Sequence, residues 1–251
     1  MNIAVCINQV PDTASRIEVL DGKIDSSRLN MVLNPYDEYA LEEAARLKEQ
    51  GSAVVFTLFS AGDASRVAAM RKALAFGADE AVLAQGEEPS DSHQAAGMLA
   101  EAMKLHYGDC LPDLVLCGRE SSGLNRGEVP YLLARMLGIG VAGRVVRLES
   151  SGRELCLQRE ADGGVEVLKG HLPLVITAEK GLNRPRKTGV KAMMKARKAP
   201  VHMIEVSAAP APGMKVSSIH PLDRTRSCRM VESVSELVPL FEEVVGEDGE
   251  W

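Results

Sequence analysis

The chain is poor in the features that mark several protein classes. Aromatic residues make up only 4% of its 251 residues, which argues against a platform that stacks single-stranded nucleic acid. Its formal net charge of -6 argues against general nucleic-acid binding, which requires a basic face. No apolar run approaches the roughly 20 residues that span a bilayer, and Met1 leads into a strand pattern with no signal peptide. We therefore expect a soluble globular protein.

Metal-binding and disulfide patterns are also missing. The five cysteines form no CxxC pair and are odd in number, and the five histidines show no metal-ligand spacing. The sequence contains neither a G-x-x-x-x-G-K-[ST] loop nor a G-x-S-x-G elbow. We therefore expect a reduced, cytoplasmic protein with no zinc or iron–sulfur site and no obvious catalytic nucleophile.

The first half of the chain alternates between strand and helix patterns. Short apolar runs at residues 3–7, 54–59, 80–84 and 114–117 are typical of buried strands, and helical spacing follows each in turn. The clearest helix start has Asn34 as N-cap, Pro35 at the first helical position and Asp37 three residues after the cap. Repeated βα units predict an α/β protein with a doubly wound parallel sheet, covered by helices on both faces.

The pattern changes after Gly138. Close-set strand patterns at residues 143–149, 154–159, 165–169 and 174–177 predict an antiparallel region added beside the parallel core. From Gly181 the chain is basic and irregular, and residues 233–245 have the spacing of an amphipathic helix, which could dock on its own domain or on a partner chain. We therefore predict two parts, residues 1–182 as an α/β nucleotide-binding domain and residues 183–251 as a partner-docking loop and a C-terminal arm that ends in a short helix.

A small-residue loop at residues 118–130 is the strongest indication of a binding site. It follows a buried strand pattern and leads into helical spacing. The first-turn N–H groups of a helix lack partners, its dipole favours negative charge, and glycines let a phosphate approach the backbone. Ligands of open α/β sheets bind at this edge. The loop therefore indicates a nucleotide or another phosphorylated ligand, although its glycines are equally typical of a surface turn.

A second glycine motif carries less weight. Residues 138–143 match G-x-G-x-x-G, the fingerprint of dinucleotide-binding folds. That fingerprint must follow a strand and open a helix, whereas this one ends a helical pattern and precedes a strand pattern. We interpret it as a helix C-cap followed by a turn.

Six segments, in order along the chain, resemble motifs of the beta subunit of electron transfer flavoproteins. The first resembles that family's opening strand and loop, V-K-Q-V-P-D-T in one branch, and the second its N-P-[YF]-D-E-x-A-[LV]-E-E-A motif. The others resemble R-x-A-L-A-x-G-A-D, R-E-x-D-G-G, L-N-E-P-R and M-K-A-[RK]-K. The six segments are residues 5–13, 33–44, 71–79, 159–164, 181–186 and 194–198.

This resemblance implies an electron-carrier subunit rather than an independent enzyme. Members form a heterodimer with an alpha subunit that carries an FAD. The beta subunit holds AMP in simple members, and a second FAD at the same place in electron-bifurcating members. The family carries electrons between flavoprotein dehydrogenases and an acceptor, so the resemblance implies FAD, and AMP or a second FAD, as cofactors.

The resemblance also implies site residues. The expected cofactor-binding residues are Cys6, Asn8, Asn34, Asp37, Ser60, Gly62, Gly118, Asn125, Arg126, Gly127, Glu128 and Val129. The chain departs from the family pattern at Gly123 and Asn125, where two Asp residues are usual, at Glu128, which replaces a Gln, and at Asn8, which replaces a Lys.

The family's docking loop for partner dehydrogenases corresponds to residues 186–194. The expected partner-docking residues are Arg186, Val190, Lys191 and Met194, with Val190 as the apolar anchor. Lys191 stands where the family usually has a Pro.

Two other functions are weighed against this one. A stand-alone ATP- or AMP-binding module of the universal-stress type would have a similar fold, but the basic tail and the strand-rich insertion argue against it. A pyridine-nucleotide dehydrogenase is motivated only by residues 138–143.

Overall fold

The structure is a computed structural model that describes residues 1–51, 53–108, 110–207, 210–222 and 228–246. The strands are β1 (Asn2–Cys6), β2 (Gln9–Pro11), β3 (Val19–Leu20), β4 (Lys23–Ile24), β5 (Met31–Leu33), β6 (Val55–Gly62), β7 (Glu80–Gln85), β8 (Leu114–Gly118), β9 (Gly140–Ser151), β10 (Glu154–Ala161), β11 (Gly164–His171), β12 (Leu174–Ala178) and β13 (Val201–Glu205). The helices are α1 (Pro35–Gln50), α2 (Val67–Leu74), α3 (Ser92–Tyr107), α4 (Val129–Leu137), α5 (Val190–Ala196) and α6 (Val234–Gly246).

A nine-stranded sheet organises the protein, in the order β11-β10-β9-β12-β8-β1-β6-β7-β13. All neighbours from β9 to β13 in that order are parallel, whereas β9, β10 and β11 pair antiparallel. The predicted fold class, a parallel doubly wound sheet with an added antiparallel region, is therefore confirmed. The chain runs outward from β1 through β6 and β7 on one side and through β8 and β12 on the other, so the strand order reverses between β1 and β8.

One strand of the predicted antiparallel region is parallel instead. β12 pairs parallel with β8 and with β9, in register from Leu174 opposite Leu114. All five residues of β12 are buried, as expected for a strand covered on both faces. Its closeness in sequence to the hairpins made it look antiparallel, but burial on both faces places it in the core.

Helices cover both faces of the sheet, and β1 shows how. Ile3 and Val5 belong to the apolar cluster under α1 and α2, whereas Ala4 and Cys6 belong to the cluster under α3 and α4. This alternation is the period of two that a strand imposes, and it gives two apolar layers around one sheet. The four strand ends β1, β6, β7 and β8 are thereby held in fixed relative positions.

The glycine motif at residues 138–143 is a helix end, as predicted. Gly138 has φ 71 and ends α4, and β9 begins two residues later. The left-handed φ is the conformation that favours glycine at this position. The motif therefore ends a helix and does not open a dinucleotide-binding one.

The segment from residue 183 onward contributes to the sheet. β13 pairs with β7 at its edge, and α5 contacts α2. The division into residues 1–182 and 183–251 stays a prediction, and residues 208–209, 223–227 and 247–251 lie outside the described residues. Among the helices of the described ranges, none is long and apolar enough to cross a membrane.

Candidate functional site

A cleft of about 210 Å³ opens where the strand order reverses, at the carboxyl ends of β1 and β8. Doubly wound proteins bind their ligands at this reversal, because the loops after the two strands run in opposite directions and leave a crevice. Cys6, Ile7 and Asn8 line the cleft after β1, and Cys117 and Gly118 line it at the end of β8. The fold therefore places the predicted loop at residues 118–130 in the position of a ligand site.

One wall of this cleft is organised by Asp37, and we call it the Asp37 wall (Asn34, Asp37 and Gly118). Asp37 Oδ2 accepts a hydrogen bond of 2.7 Å from the backbone N–H of Asn8. Its Oδ1 accepts bonds from Asn34 Nδ2 at 2.9 Å and from the Gly118 N–H at 3.2 Å. Burial raises the pKa of Asp37 to about 7, although these three N–H donors favour the carboxylate. One buried carboxyl group thus joins the loop after β1, the start of α1 and the end of β8.

Asn34 occupies the N-cap position of α1, but its side chain makes no capping bond. Instead Nδ2 also donates to the Glu120 carbonyl at 2.9 Å, and Oδ1 accepts from the Ser122 N–H at 3.1 Å. The predicted capping role is therefore wrong for the side chain, because the loop after β8 lies close enough to bind it. Asn34 is fully buried and fixes that loop against α1.

Gly118 is required by packing within this wall. A Cβ atom there would overlap Asp37 Oδ1 and would lie 2.7 Å from the carbonyl carbon of Tyr36. The Tyr36 carbon is backbone, and Asp37 Oδ1 is buried and held by two hydrogen bonds, so neither can move aside cheaply. Only glycine lets the end of β8 approach the first turn of α1 this closely.

The loop after Gly118 then turns into α4 through left-handed backbone. Asn125 has φ 52 and Gly127 has φ 63. The N–H groups of Arg126, Gly127 and Glu128 have no hydrogen-bond partner among the described residues, and these three residues line the cleft together with Val129. These free N–H groups beside the helix start can bind an anion.

The opposite wall follows β6, and we call it the Arg66 wall (Gly62, Arg66 and Glu88). Gly62 was among the predicted cofactor-binding residues, whereas Arg66 and Glu88 were not. Arg66 ends a 3₁₀ turn at Ala64–Arg66 and is only 5% exposed. Its Nη1 donates to Asn8 Oδ1, and its Nη2 donates to Glu88 Oε1. Asn8 also donates to Ser121 Oγ at 3.0 Å, so this one side chain links the two sides of the cleft.

Gly62 makes room for the arginine rather than lining the cleft. Its φ is 137, and a Cβ atom there would lie 2.7 Å from both Arg66 Nε and Glu88 Oε2. These neighbours are side-chain ends and could shift. Gly62 therefore supports the position of the Arg66–Glu88 pair.

Two thiols lie at the base of the cleft, on adjacent strands. Cys6 and Cys117 are both buried and unpaired by disulfide. The Cys6 side chain and burial hold the pKa of Cys117 well above its usual range. A protonated Cys117 thiol carries no charge, so it adds none to the base of the cleft. Within the described ranges, no group of three or more His, Cys, Asp or Glu could hold a metal ion.

Eight of the twelve predicted cofactor-binding residues line the cleft. Asn34 and Ser60 are instead buried behind it, and Gly62 and Asn125 lie outside its lining. The lining residues that sequence reasoning missed include Arg66, Glu88, Ser121 and Leu124. The one signal for Arg66 was its position in the segment after β6, a strand adjacent to β1. The predicted lining residues are Cys6, Asn8, Asp37, Gly118, Arg126, Gly127, Glu128 and Val129.

The predicted partner-docking residues lie elsewhere on the protein. Arg186 is bound within the chain, where its Nε donates to Glu42 Oε2 at 2.7 Å and its Nη1 to Glu49 Oε1 at 2.5 Å. Val190 and Met194 are 75% and 62% exposed on α5, and Lys191 lies between them in sequence, also exposed. Their part in partner binding stays a prediction.

Fold and cleft together define a doubly wound α/β protein with a cleft at its strand-order reversal, where such folds bind ligands. The family model described as "Electron transfer flavoprotein domain" matches residues 21–209. The chain is 37% identical to "Electron transfer flavoprotein subunit beta" of Syntrophomonas wolfei, over 83% of this chain and 81% of that protein. It is 34% identical to the protein of the same name from Bacillus subtilis, over 82% and 79%, and 31% identical to that of Megasphaera elsdenii, over 84% and 80%.

The chain therefore belongs to the electron transfer flavoprotein family, as a member of its beta-subunit group. This confirms the family predicted from the six sequence motifs. Membership supports a role in electron transfer.

Proposed function

We propose that this chain is the beta subunit of a heterodimeric electron transfer flavoprotein whose cleft holds an adenine nucleotide. The nucleotide is AMP or the ADP half of a second FAD, and the alpha subunit carries the other FAD. The heterodimer carries electrons between flavoprotein dehydrogenases and an acceptor. The flavins would supply the redox chemistry. This chain would bind the nucleotide, hold it in position and dock on the partner proteins.

The observation that carries the proposal is the cleft between β1 and β8. Its position is the ligand position of doubly wound folds, and its rim includes the free N–H groups of residues 126–128 beside the start of α4. The side chains the family usually places in this loop are replaced by Gly123, Asn125 and Glu128. Backbone N–H groups, which any sequence provides, therefore remain as its anion donors.

The size and charge of the cleft limit which nucleotide it would hold. Its volume of about 210 Å³ lies below the roughly 300 Å³ at which pockets for drug-sized ligands begin, so it would enclose part of a nucleotide and leave the rest at its mouth. The lining carries five carboxyl groups against two guanidinium groups. That balance disfavours the four negative charges of ATP, which the universal-stress alternative would bind. The charged lining residues are Asp37, Glu88, Asp91, Glu120, Glu128, Arg66 and Arg126.

The docking part of the proposal concerns the start of the second segment. Arg186, held by Glu42 and Glu49 on α1, would fix the base of the loop that leads to α5. Val190 and Met194 then present apolar surface beside Lys191, next to further basic residues at 195, 197 and 198. An apolar anchor within a basic surface suits a partner with an acidic rim.

The test is to co-express the chain with its alpha partner, purify the complex and identify the released nucleotides by mass. We expect a stable heterodimer with either one FAD and one AMP, or two FAD, per complex. The flavin count separates a simple electron carrier from a member that takes part in electron bifurcation. Absence of a stable heterodimer, or a heterodimer without flavin, would contradict the proposal; a monomer that binds ATP tightly would favour the universal-stress alternative.

A further inference from the structure

Arg66 is a charged side chain buried in the wall of a ligand cleft. Its residue is 5% exposed, and it reaches the cleft from the turn between β6 and α2. Burial of a guanidinium is unfavourable unless acceptors surround it. The acceptors that the described residues provide are Asn8 Oδ1 and Glu88 Oε1.

These acceptors leave the guanidinium incompletely satisfied. A guanidinium has five N–H donors, and here only Nη1 and Nη2 donate to described residues. Nε is buried and has no partner within the described part of the chain. Its ionic partner, Glu88, has a side chain that is 55% exposed, so water weakens the attraction between the two. Donors therefore remain for a ligand.

We propose that Arg66 binds the anionic group of the ligand, and that Glu88 is the counter-ion it releases when that ligand enters. This inference rests on the proposed function, in which the anion is the phosphate of AMP or the diphosphate of FAD. A guanidinium forms paired hydrogen bonds with phosphate oxygens, and a dianion is a stronger acceptor than one half-exposed carboxylate. Glu88 lies in the loop after β7 and can turn to solvent.

The proposal assigns separate tasks to the two walls. Backbone N–H groups at residues 126–128 approach the ligand from the loop after β8, and Arg66 approaches it from the turn after β6. Arg66 would then determine how strongly the site prefers a phosphorylated ligand over the same ligand without phosphate. If the Arg66–Glu88 pair only stabilised the fold, replacing Arg66 would not change the preference of the site for a phosphorylated ligand.

The experiment measures the affinities of AMP, adenosine and pyrophosphate for the purified full chain by calorimetry. The variants are Arg66→Gln, Arg66→Lys and Glu88→Gln. The matched control is Arg147→Gln, which removes an arginine from another ion pair, with Glu149 at 2.6 Å on β9, outside the residues that line the cleft. Thermal unfolding of each variant reports whether it is folded.

We expect Arg66→Gln to weaken AMP binding about 10- to 100-fold, the range of a lost charged hydrogen bond, and adenosine binding less than about 3-fold. The AMP affinity of Arg66→Lys should lie between those of wild type and Arg66→Gln. Glu88→Gln should strengthen AMP and pyrophosphate binding about 3-fold or more, because the competing carboxylate is gone. Arg147→Gln should bind all three ligands as wild type does.

Equal loss of AMP and adenosine affinity in Arg66→Gln, or unchanged AMP affinity, would overturn the inference while leaving the proposed function intact. Weaker AMP binding by Glu88→Gln would also overturn it. If wild type binds pyrophosphate through Arg66 but neither AMP nor adenosine, the inference stands and the adenine part of the proposed function fails. If wild type binds none of the three ligands, the inference fails, and the proposed function is decided separately by the nucleotides released from the heterodimer. If Arg66→Gln does not fold, the AMP affinities of Glu88→Gln and Arg66→Lys test the inference in its place.

Discussion

The Asp37 wall is held by backbone and buried polar atoms, whereas the Arg66 wall is held by the ends of two long side chains. In the first, three N–H donors from three segments converge on one buried carboxyl group. In the second, a buried guanidinium faces a half-exposed carboxylate. Backbone contacts fix geometry, and long side chains can change partners. The Asp37 wall is therefore suited to shaping the cleft, and the Arg66 wall to responding to what enters it.

The largest effect should come from Gly118→Ala in the Asp37 wall. The added methyl group would meet Asp37 and the Tyr36 backbone, which have no room to retreat. We expect a loss of about 3 kcal/mol in the free energy of unfolding, at the upper end for overpacked sites. The measurement is urea denaturation. Gly164→Ala is the control, because its Cβ would meet nothing within 4 Å; equal stability of the two variants would show that this wall is not rigid.

Asp37→Asn should have the next largest effect. An amide can keep only one acceptor oxygen, so its NH₂ group would face one of the three N–H donors that now bind Asp37. We expect a loss of about 1–3 kcal/mol in the free energy of unfolding at pH 5. Urea denaturation at that pH measures it. Wild-type stability in this variant would mean that the carboxyl group does not hold the three segments together.

Asp37 should also give stability a dependence on pH. Its pKa is about 7 in the folded protein and 3.8 as a model value, so the folded state binds more protons between those pH values. The resulting stabilisation is fully present below about pH 4 and is lost as pH rises to 7. The difference in unfolding free energy between wild type and Asp37→Asn should therefore shrink across this window. A difference that grows with pH would show that the three hydrogen bonds lower the pKa of Asp37 more than burial raises it.

Gly62→Ala tests whether the Arg66 wall adapts. The new methyl group would meet Arg66 Nε and Glu88 Oε2, both of which can move, although φ 137 adds strain. We expect a loss of about 1–2 kcal/mol in the free energy of unfolding, less than for Gly118→Ala. Paired urea denaturation curves make the comparison. A loss as large as that of Gly118→Ala would remove the contrast between the walls.

Asn8→Ala should have the smallest effect, because Asn8 only links the walls. It removes the bond to Ser121 Oγ at 3.0 Å and the bond from Arg66. We expect about 0.5–1.5 kcal/mol less stability, since the Asn8 N–H still donates to Asp37 and water in the cleft can replace Asn8 Oδ1 as acceptor for Arg66. A thermal melt detects the change. A loss beyond about 3 kcal/mol would mean that the walls are one cooperative unit.

The sequence predicted the Asp37 wall better than the Arg66 wall. The Asn34-Pro35-x-Asp37 start of α1 and the glycine loop after β8 are local patterns, and both lie where βα topology places them. The hydrogen bonds of Asn34 to the loop after β8 were not predicted. An asparagine suits a helix N-cap and a bond to a distant loop equally well, so the residue type does not distinguish the two roles. Arg66 was missed because an arginine in a helix-start segment is usually exposed. Its burial depends on Glu88 and on Gly62, which no local pattern links to it.

A crystal structure of the full chain with AMP tests the account most directly. We predict AMP in the cleft between β1 and β8, with its phosphate within hydrogen-bond distance of the Arg66 guanidinium and of backbone N–H groups at residues 126–128, and with Glu88 turned away. AMP bound outside this cleft, or bound in it with the Arg66–Glu88 pair intact and its phosphate elsewhere, would contradict the account.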